Sequence, residues 1–310
     1  MPLQLRIRSA TWEAPDILSY ELRAVEGGEL PAFTAGAHVD LTLPNGLIRS
    51  YSLVNDQSER HRYVIAVQKD RASRGGSTWV HERLRPGDVL TVNGPRNNFP
   101  LHESAAKSVF IAGGIGITPI VGMVRRLREL NRDCTLYYCA RTRASAAFAD
   151  VLQGDVRFNF DGEPGGKLLD IGGVVRQWPP GTHFYCCGPL PMLAAFEAAT
   201  AALPRDQVHV EYFSAKEPPA AAGGFTVVLA KSGKQVAVPA GKTILETLLD
   251  AGMEVPYSCM EGVCGTCEAR VIEGVPDHRD LVLSEAEHAS GKTMMICCSG
   301  CKGDRLVLDL

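Results

Sequence analysis

The chain has 310 residues, of which 45% are apolar, and its formal net charge is −3. A chain of this length can bury hydrophobic cores and is expected to fold as two or three domains. Because the charge offers no basic field and no apolar run approaches the roughly 20 residues of a membrane span, we expect neither nucleic acid nor a membrane as a partner.

Short alternating or β-branched runs fill the first hundred residues, with Gly, Pro and Asn turns between them. Four of these runs are LQLRIR, HVDLTL, RYVIAVQ and DVLTVNG. Such runs are typical of antiparallel strands, and little helical periodicity interrupts them. The pattern predicts an antiparallel β-barrel over residues 1–103.

The pattern changes in KSVFIAGGIGITPIVGMVRRLREL, which starts with an apolar strand and continues through a glycine turn into a helix. Strand, turn and helix then repeat through CTLYYCARTR, VRFNFDG and HFYCCGPLPMLAAFEAAT. This alternation predicts a parallel, doubly wound α/β domain over residues 104–214. The turn AGGIGITP departs from G-x-G-x-x-G, so by itself it does not identify a dinucleotide site.

The segment AKEPPAAAGG (Ala215–Gly224) is rich in Pro, Ala and Gly and lacks periodicity, which predicts an inter-domain linker. After it, FTVVLAKSGKQVAVPAG predicts two strands joined at Ser232 and Gly233, and TILETLLDAG predicts a helix. Residues 225–310 are therefore expected to form a small α+β unit.

Six of the ten cysteines crowd the last fifth of the chain: Cys259, Cys264, Cys267, Cys297, Cys298 and Cys301. The N-terminal MPLQLRIRSATWEAPD lacks the apolar region of a secretory signal, so we expect a reducing cytoplasmic location in which disulfides are disfavoured. Structural zinc usually takes two C-x2-C pairs, and this loop has one. The spacing C-x4-C-x2-C, with a fourth cysteine 30 positions later, is instead that of plant-type [2Fe–2S] clusters. It favours Cys297 as the fourth ligand, with Cys298 and Cys301 as competitors.

The stretch CMEGVCGTCEARVIEGVPDHRDLVLSEAE, with MMICCSG after it, resembles the ferredoxin domain of the phthalate dioxygenase reductase family. The resemblance covers essentially the whole chain. It implies an FMN-binding barrel at 1–103, an NAD-binding domain at 104–214, a linker at 215–224 and a β-grasp ferredoxin domain at 225–310. In this family a small apolar residue follows the fourth ligand, and Cys298 fills that place. The cluster ligands implied are Cys259, Cys264, Cys267 and Cys297.

For the flavin, IRSYSLVN (Ile48–Asn55) resembles the family's R-x-Y-S motif and RGGSTWV (Arg74–Val80) resembles its phosphate segment. The resemblance implies that Arg49 pairs with the phosphate, Tyr51 packs on the ring, and Ser52 lies where electrons enter. The cofactor-binding residues implied are Arg49, Ser50, Tyr51, Ser52, Ala66, Val67, Gln68, Arg74, Gly75, Gly76 and Ser77. FMN is expected rather than FAD, because FAD-dependent relatives carry an extra segment for the adenosine.

For the nicotinamide, GGIGITP and CCGP resemble the paired motifs of the same superfamily. The residues implied are Gly113, Gly114, Gly116, Thr118, Pro119, Cys187, Gly188 and Pro189, together with Phe213 as an aromatic near the flavin. Thr118 would contact flavin or nicotinamide, and Cys187 would lie near the nicotinamide C4, although Cys187 can also be read as a small apolar core residue. NADH is implied, while Arg141 or Arg143 could instead hold the 2′-phosphate of NADPH.

The resemblance thus implies an oxidoreductase that passes electrons from NADH through FMN and a [2Fe–2S] cluster to a separate Rieske-type terminal oxygenase of aromatic catabolism. The sequence presents no C-x-H Rieske pair and no evident non-haem iron triad, so oxygenation is expected on the partner. Two alternatives stay open. One is a ferredoxin-like carrier or redox sensor without NADH oxidation, and the other is a reductase for a different acceptor.

Overall fold

The computed structural model describes residues 2–71, 73 and 75–310. Arg74, predicted to hold phosphate, lies outside the described residues. The chain divides into two compact units, one ending at Glu211 and one spanning Tyr212–Leu310. In the described part of the chain, every helix is too short or too polar to cross a bilayer.

The first sheet is antiparallel, with six strands in the order β4-β3-β6-β1-β2-β5. Its strands are β1 (Leu3–Ala14), β2 (Ile17–Ala24), β3 (His38–Thr42), β4 (Ile48–Ser52), β5 (Tyr63–Gln68) and β6 (Val89–Arg96), and helix α1 (Gly76–Arg83) joins β5 to β6. Alternate residues such as Leu5 and Ile7 are buried, as the period of two requires. A bridge between Leu53 and Ile65 connects the two edges. The predicted antiparallel barrel is confirmed.

The second sheet has five parallel strands in the order β11-β10-β7-β8-β9. The strands are β7 (Ser108–Gly113), β8 (Cys134–Ala140), β9 (Asp155–Phe160), β10 (His183–Cys187) and β11 (Val208–Glu211); the helices are α2 (Ile117–Glu129), α3 (Ile171–Arg176) and α4 (Leu190–Thr200). Every residue of the central strand β7 is buried, as both faces of a parallel sheet require. The winding direction reverses between β7 and β10, which is where doubly wound sheets bind their ligands.

Within the first unit, helix α2 and the turn before it pack against strands of the barrel. Gly122 of α2 lies against the barrel, where an added Cβ would stand 3.8 Å from the Leu53 carbonyl oxygen. Ala66 of β5 belongs to a small buried apolar cluster against which Ile115 of the glycine turn packs. The barrel strand expected to line the flavin site is therefore next to the turn expected to bind the nucleotide.

The second unit has a mixed sheet in the order β13-β12-β18-β14-β16, in which β12 and β18 are parallel. Its elements are β12 (Phe225–Leu229), β13 (Gln235–Val238), α5 (Ile244–Asp250), β14 (Glu268–Glu273), β15 (Pro276–Asp277), α6 (Glu285–Ser290), β16 (Thr293–Met295), β17 (Gly300–Cys301) and β18 (Arg305–Leu308). Thr243 and Glu246 form a capping box that starts α5, and Leu245 and Leu248 bury its apolar side. The predicted α+β ferredoxin-like fold is confirmed.

The segment 215–224 contains no helix or strand, but it is attached to the second unit. The Ala220 amide donates to the Cys298 carbonyl at 2.7 Å, and the Glu217 carboxylate accepts from Arg279 at 2.7 Å. Composition alone predicted a linker here and could not reveal these contacts. The domain boundaries themselves stay predictions.

Candidate functional site

Four cysteine thiols converge in the second unit, on the loop before β14 and the turn after β16. The four are 9% exposed or less: Cys259, Cys264, Cys267 and Cys297. Cys259 lies within hydrogen-bonding reach of the Cys264 and Cys297 thiols, and Cys267 lies within reach of Cys297. Hydrogen bonds from the Cys264 and Cys297 thiols lower the pKa of the Cys259 thiol. Four buried thiols that converge in this way suit a metal that binds thiolate.

The loop from 259 to 267 curls so closely that two of its glycines take left-handed backbone angles, with φ of 69° at Gly262 and 79° at Gly265. A Cβ on Gly262 would lie 2.4 Å from Cys298 Sγ, so only glycine fits there. The Glu261 amide donates to Cys259 Sγ at 3.3 Å, as expected of a loop whose N–H groups face the sulfurs. Four thiols with such donors fit the ligand requirement of a [2Fe–2S] cluster.

The two competing cysteines have other partners. Cys298 Sγ approaches the Met295 carbonyl at 3.8 Å and lies against Gly262, while it also contacts Cys297. Cys301 is half-buried, donates to the Arg305 carbonyl at 3.5 Å and accepts from the Gly303 amide at 3.3 Å. The assignment of Cys297 as fourth ligand is a prediction that these contacts favour.

On the barrel, Arg49 of β4 lies across the start of α1. A Cβ added to Gly76 would stand 2.5 Å from Arg49 Nε, so the missing side chain makes room for the guanidinium. Gly75 enters the helix with φ of 89°, and the first turn carries no acid. A cation beside an uncompensated helix N-terminus fits a phosphate group. The hydroxyl of Ser77 donates to Ser73 at 3.0 Å, which holds the turn that leads into this helix.

The other predicted flavin contacts lie on β4 and β5. Tyr51 packs against the barrel core, and burial raises the pKa of its phenol, so the ring is neutral. Ser52 is 6% exposed, and the Ser50 hydroxyl donates to Asp40 at 2.7 Å. On β5, Ala66 and Val67 are buried while Gln68, at the end of the strand, is exposed.

The two predicted nucleotide motifs meet at the carboxyl ends of β7 and β10. A Cβ on Gly116 would stand 2.2 Å from the Cys187 carbonyl oxygen, and one on Gly188 would stand 3.1 Å from the Gly113 Cα. The two backbones are therefore in direct contact at the reversal point of the sheet. Gly114, with φ of 53°, makes the turn out of β7. This arrangement leaves backbone N–H groups close to a helix start, as dinucleotide phosphates require.

The predicted catalytic side chains of this edge are buried. Thr118 is 2% exposed and donates its hydroxyl to the Ile115 carbonyl at 2.9 Å, and Pro119 follows it within the first turn of α2. Cys187 is fully buried, and burial raises the pKa of its thiol, so it is neutral. Pro189 lies directly before α4.

Sequence reasoning missed one titratable group beside these residues. Glu211 ends β11 and lies opposite Cys187 in the strand pairing. Burial raises the pKa of its carboxyl group to about 8, so it holds a proton at pH 7. The sequence did offer a signal for it, since an acidic residue directly follows the strand-like VHV. The carboxyl ends of parallel strands lie on the same side of a sheet, so this acid could have been placed near the nucleotide motifs.

Two further acids lie beside the arginines that follow β8. Arg141 Nη1 is 3.4 Å from an Asp161 carboxylate oxygen, and the Arg143 amide donates to Glu163 at 2.7 Å. The Arg143 guanidinium also lies 5.2 Å from the centre of the Phe160 ring.

Phe213 is 42% exposed at the start of the second unit, and its place beside a flavin stays a prediction.

An antiparallel barrel, a sheet with dinucleotide-binding topology and a four-thiol unit together define an NAD-dependent iron–sulfur oxidoreductase. Residues 110–154 match the oxidoreductase NAD-binding domain, and residues 227–302 match the 2Fe-2S iron-sulfur cluster binding domain. These two domain matches confirm the predicted NAD and [2Fe–2S] cofactors.

Similar proteins narrow the class to a family. The chain is 54% identical to phenoxybenzoate dioxygenase subunit beta of Ectopseudomonas oleovorans, covering 100% of this chain and 98% of that one. It is 52% identical to tetrachlorobenzoquinone reductase of Sphingobium chlorophenolicum, covering 99% and 98%. Among solved structures, a phthalate dioxygenase reductase matches with a TM-score of 0.78 and 41% identity over 100% of this chain and 98% of that one. The chain belongs to the phthalate dioxygenase reductase family.

Proposed function

We propose that the chain is the reductase component of a Rieske-type oxygenase system, with FMN and a [2Fe–2S] cluster as its cofactors and NADH as its electron donor. The observation that carries this proposal is the convergence of four buried thiols in a chain that also has a nucleotide-type sheet and a flavin-type barrel. Family membership supports FMN and a separate oxygenase as acceptor.

When bound, FMN can accept a hydride from NADH and pass the two electrons singly to the cluster, which delivers them to the oxygenase. The residues of this chain bind and orient these groups. We assign the phosphate to Arg49 and the N-terminus of α1, and one face of the flavin ring to Tyr51. The neutral phenol adds apolar surface without placing a charge beside the ring.

The nicotinamide is assigned to the edge formed by Gly116 and Cys187. Their backbone contact at the end of the sheet presents N–H groups to the nucleotide. Because burial keeps both the Cys187 thiol and the Glu211 carboxyl group protonated at pH 7, neither of these two side chains would repel the phosphates of the nucleotide.

The cluster is assigned to Cys259, Cys264, Cys267 and Cys297, a proposal that a matched set of serine variants tests. Cys297→Ser is expected to lose the visible absorbance of the cluster and most of the electron transfer to an oxygenase. NADH should still reduce the flavin, because Arg49, Tyr51 and Cys187 lie in the first unit. Cys301→Ser is the control, since that sulfur has hydrogen-bond partners in its own turn. A normal cluster in Cys297→Ser together with its loss in Cys298→Ser would reassign the fourth ligand.

A second candidate acceptor is a quinone. The chain is almost as similar to a tetrachlorobenzoquinone reductase as to the dioxygenase subunit, at 52% and 54% identity. Cys297→Ser separates the two functions, because a small quinone can take electrons directly from a reduced flavin. If NADH-dependent reduction of a halogenated quinone survives in this variant at the wild-type rate and no oxygenase accepts electrons from the wild type, the quinone is the acceptor.

A further inference from the structure

A second group of metal-binding side chains lies in the iron–sulfur unit, outside the four-cysteine set. His278, Asp280 and His288 each place a ligand atom within 4.8 Å of the others. His288 Nε2 is 3.2 Å from Asp280 Oδ1, and His278 Nδ1 is 3.6 Å from the same oxygen. The two imidazole rings are stacked, with centroids 4.3 Å apart.

His278 is the unexplained member of this group. Its side chain is 10% exposed, and neither ring nitrogen has a hydrogen-bond partner among the described residues. A buried polar group without a hydrogen-bond partner destabilises the folded chain, so a ligand that satisfies it is expected. Burial and the neighbouring His288 lower the pKa of His278, which keeps the ring in the neutral form that binds metals.

The carboxylate of Asp280 is held in a fixed orientation. Its side chain is fully buried, and Oδ2 accepts hydrogen bonds from the Val282 and Leu283 amides at 3.2 and 2.9 Å. Oδ1 faces both histidines, while His288 Nε2 lies 3.2 Å from each of the two carboxylate oxygens. Hydrogen bonds from backbone amides orient carboxylate ligands in this way in metal sites.

The separations agree with the size of a zinc site. Zinc binds imidazole nitrogen and carboxylate oxygen at about 2.0–2.2 Å, so neighbouring ligand atoms of a tetrahedral site stand about 3.3–3.6 Å apart. The two measured nitrogen–oxygen distances are 3.2 and 3.6 Å. His288, whose side chain is 30% exposed, is on the solvent side, where water can supply the fourth ligand.

Helix α6 gives the site a structural role. None of its six residues is buried, so its apolar contacts do not explain why it stays against the unit. His288 of this helix reaches Asp280, and the neighbouring Leu281 amide donates to the carbonyl of Gly262 in the cysteine loop at 2.9 Å. A cation bound here would connect α6 to the segment that supports that loop.

We propose that His278, Asp280 and His288 form a second metal site, separate from the four-cysteine site, that binds one divalent ion of the zinc type. The ligand set is two imidazoles, one carboxylate and one water, and the stacked rings turn apart on binding so that a nitrogen of each points at the ion. The sequence did not reveal this site, because the two histidines are ten positions apart and only the turn after β15 and helix α6 bring them together.

The test uses the full-length protein with its flavin and cluster in place, and Zn²⁺ as the probe. We expect one zinc per chain in addition to the cluster iron, measured by elemental analysis after dialysis, with iron content unchanged. Zinc K-edge absorption should show only nitrogen and oxygen at about 2.0–2.2 Å. His288→Gln should weaken zinc binding at least about tenfold, whereas the exposed His61→Gln should not change it.

Three results would overturn the proposal. They are an absence of stoichiometric zinc, sulfur ligands at about 2.3 Å that reveal zinc in the cysteine site, and equal affinity in His288→Gln. The zinc K-edge spectrum of the unmutated protein distinguishes the two sites by itself, so the test holds even if His288→Gln fails to fold.

Discussion

The contact between Gly116 and Cys187 can be tested by adding one methyl group. In Gly116→Ala the new Cβ would stand 2.2 Å from the Cys187 carbonyl oxygen, 2.5 Å from its carbonyl carbon and 2.8 Å from the Gly188 nitrogen. All three are backbone atoms, so no side-chain rotation relieves the clash, and the two motifs must move apart. Overpacking of this kind costs about 1–3 kcal/mol.

Gly122→Ala, within helix α2, is the matched control for Gly116, which directly precedes that helix. Its Cβ would meet nothing closer than 3.7 Å, which is an ordinary contact, and alanine is favoured over glycine in a helix by about 0.5–1 kcal/mol. The two variants add the same atom six residues apart and should change stability in opposite directions.

The assay has two readouts. Thermal unfolding should show a melting temperature lowered by at least about 2 °C in Gly116→Ala, and unchanged or raised in Gly122→Ala, given about 2–4 °C per kcal/mol for units of this size. Stopped-flow reduction of the flavin by NADH should show weaker NADH binding, by about tenfold or more, in Gly116→Ala alone. If Gly116→Ala is as stable as the wild type and binds NADH normally, the backbone contact does not form the nucleotide site.

Two further predictions concern the phosphate and the histidines. Arg49→Ala should release FMN during gel filtration, because a hydrogen bond to a charged group contributes about 1.5–3 kcal/mol to binding. The control Arg8→Ala, at an exposed arginine on β1, should retain the flavin. Equal flavin content in the two variants would place the phosphate elsewhere. Burial and His183 lower the pKa of His209 from 6.5 to about 4. Between these two pH values the unfolded chain binds a proton that the folded chain does not. The free energy of unfolding should therefore be at its full value above pH 6.5 and fall as the pH is lowered from 6.5 to 4. The expected loss is about 1–2 kcal/mol after allowance for solvent screening. His209→Phe retains an aromatic ring that can stack on Tyr185, and it should remove this pH dependence from the free energy of unfolding measured in urea. An unchanged pH dependence in the variant would assign the effect to other groups.

Local pattern was sufficient to predict the barrel, the parallel sheet and the helix of the second unit. The barrel strand β1 alternates, β7 has an apolar run that is buried on both faces, and α5 shows helical spacing with a capping box at Thr243. The cysteine spacing also identified the loop, since four ligands of one cluster impose a fixed pattern on the chain.

Contacts that depend on the folded chain could not be predicted in this way. Glu211 comes beside Cys187 only through strand pairing, and its raised pKa depends on burial. The Ala220 amide meets the Cys298 carbonyl through a backbone hydrogen bond that composition cannot encode. Thr118 has the residue type expected at a cofactor site, yet its hydroxyl is donated to its own helix start.

The parallel direction of β10 and β11 separates two kinds of chemistry along the same strands. The carboxyl ends carry Cys187 and Glu211, while the amino ends carry His183 and His209, whose rings lie 5.4 Å apart. The two pairs therefore lie toward opposite ends of these two strands. A label attached near the histidine end would therefore lie away from the strand ends to which the nucleotide is assigned.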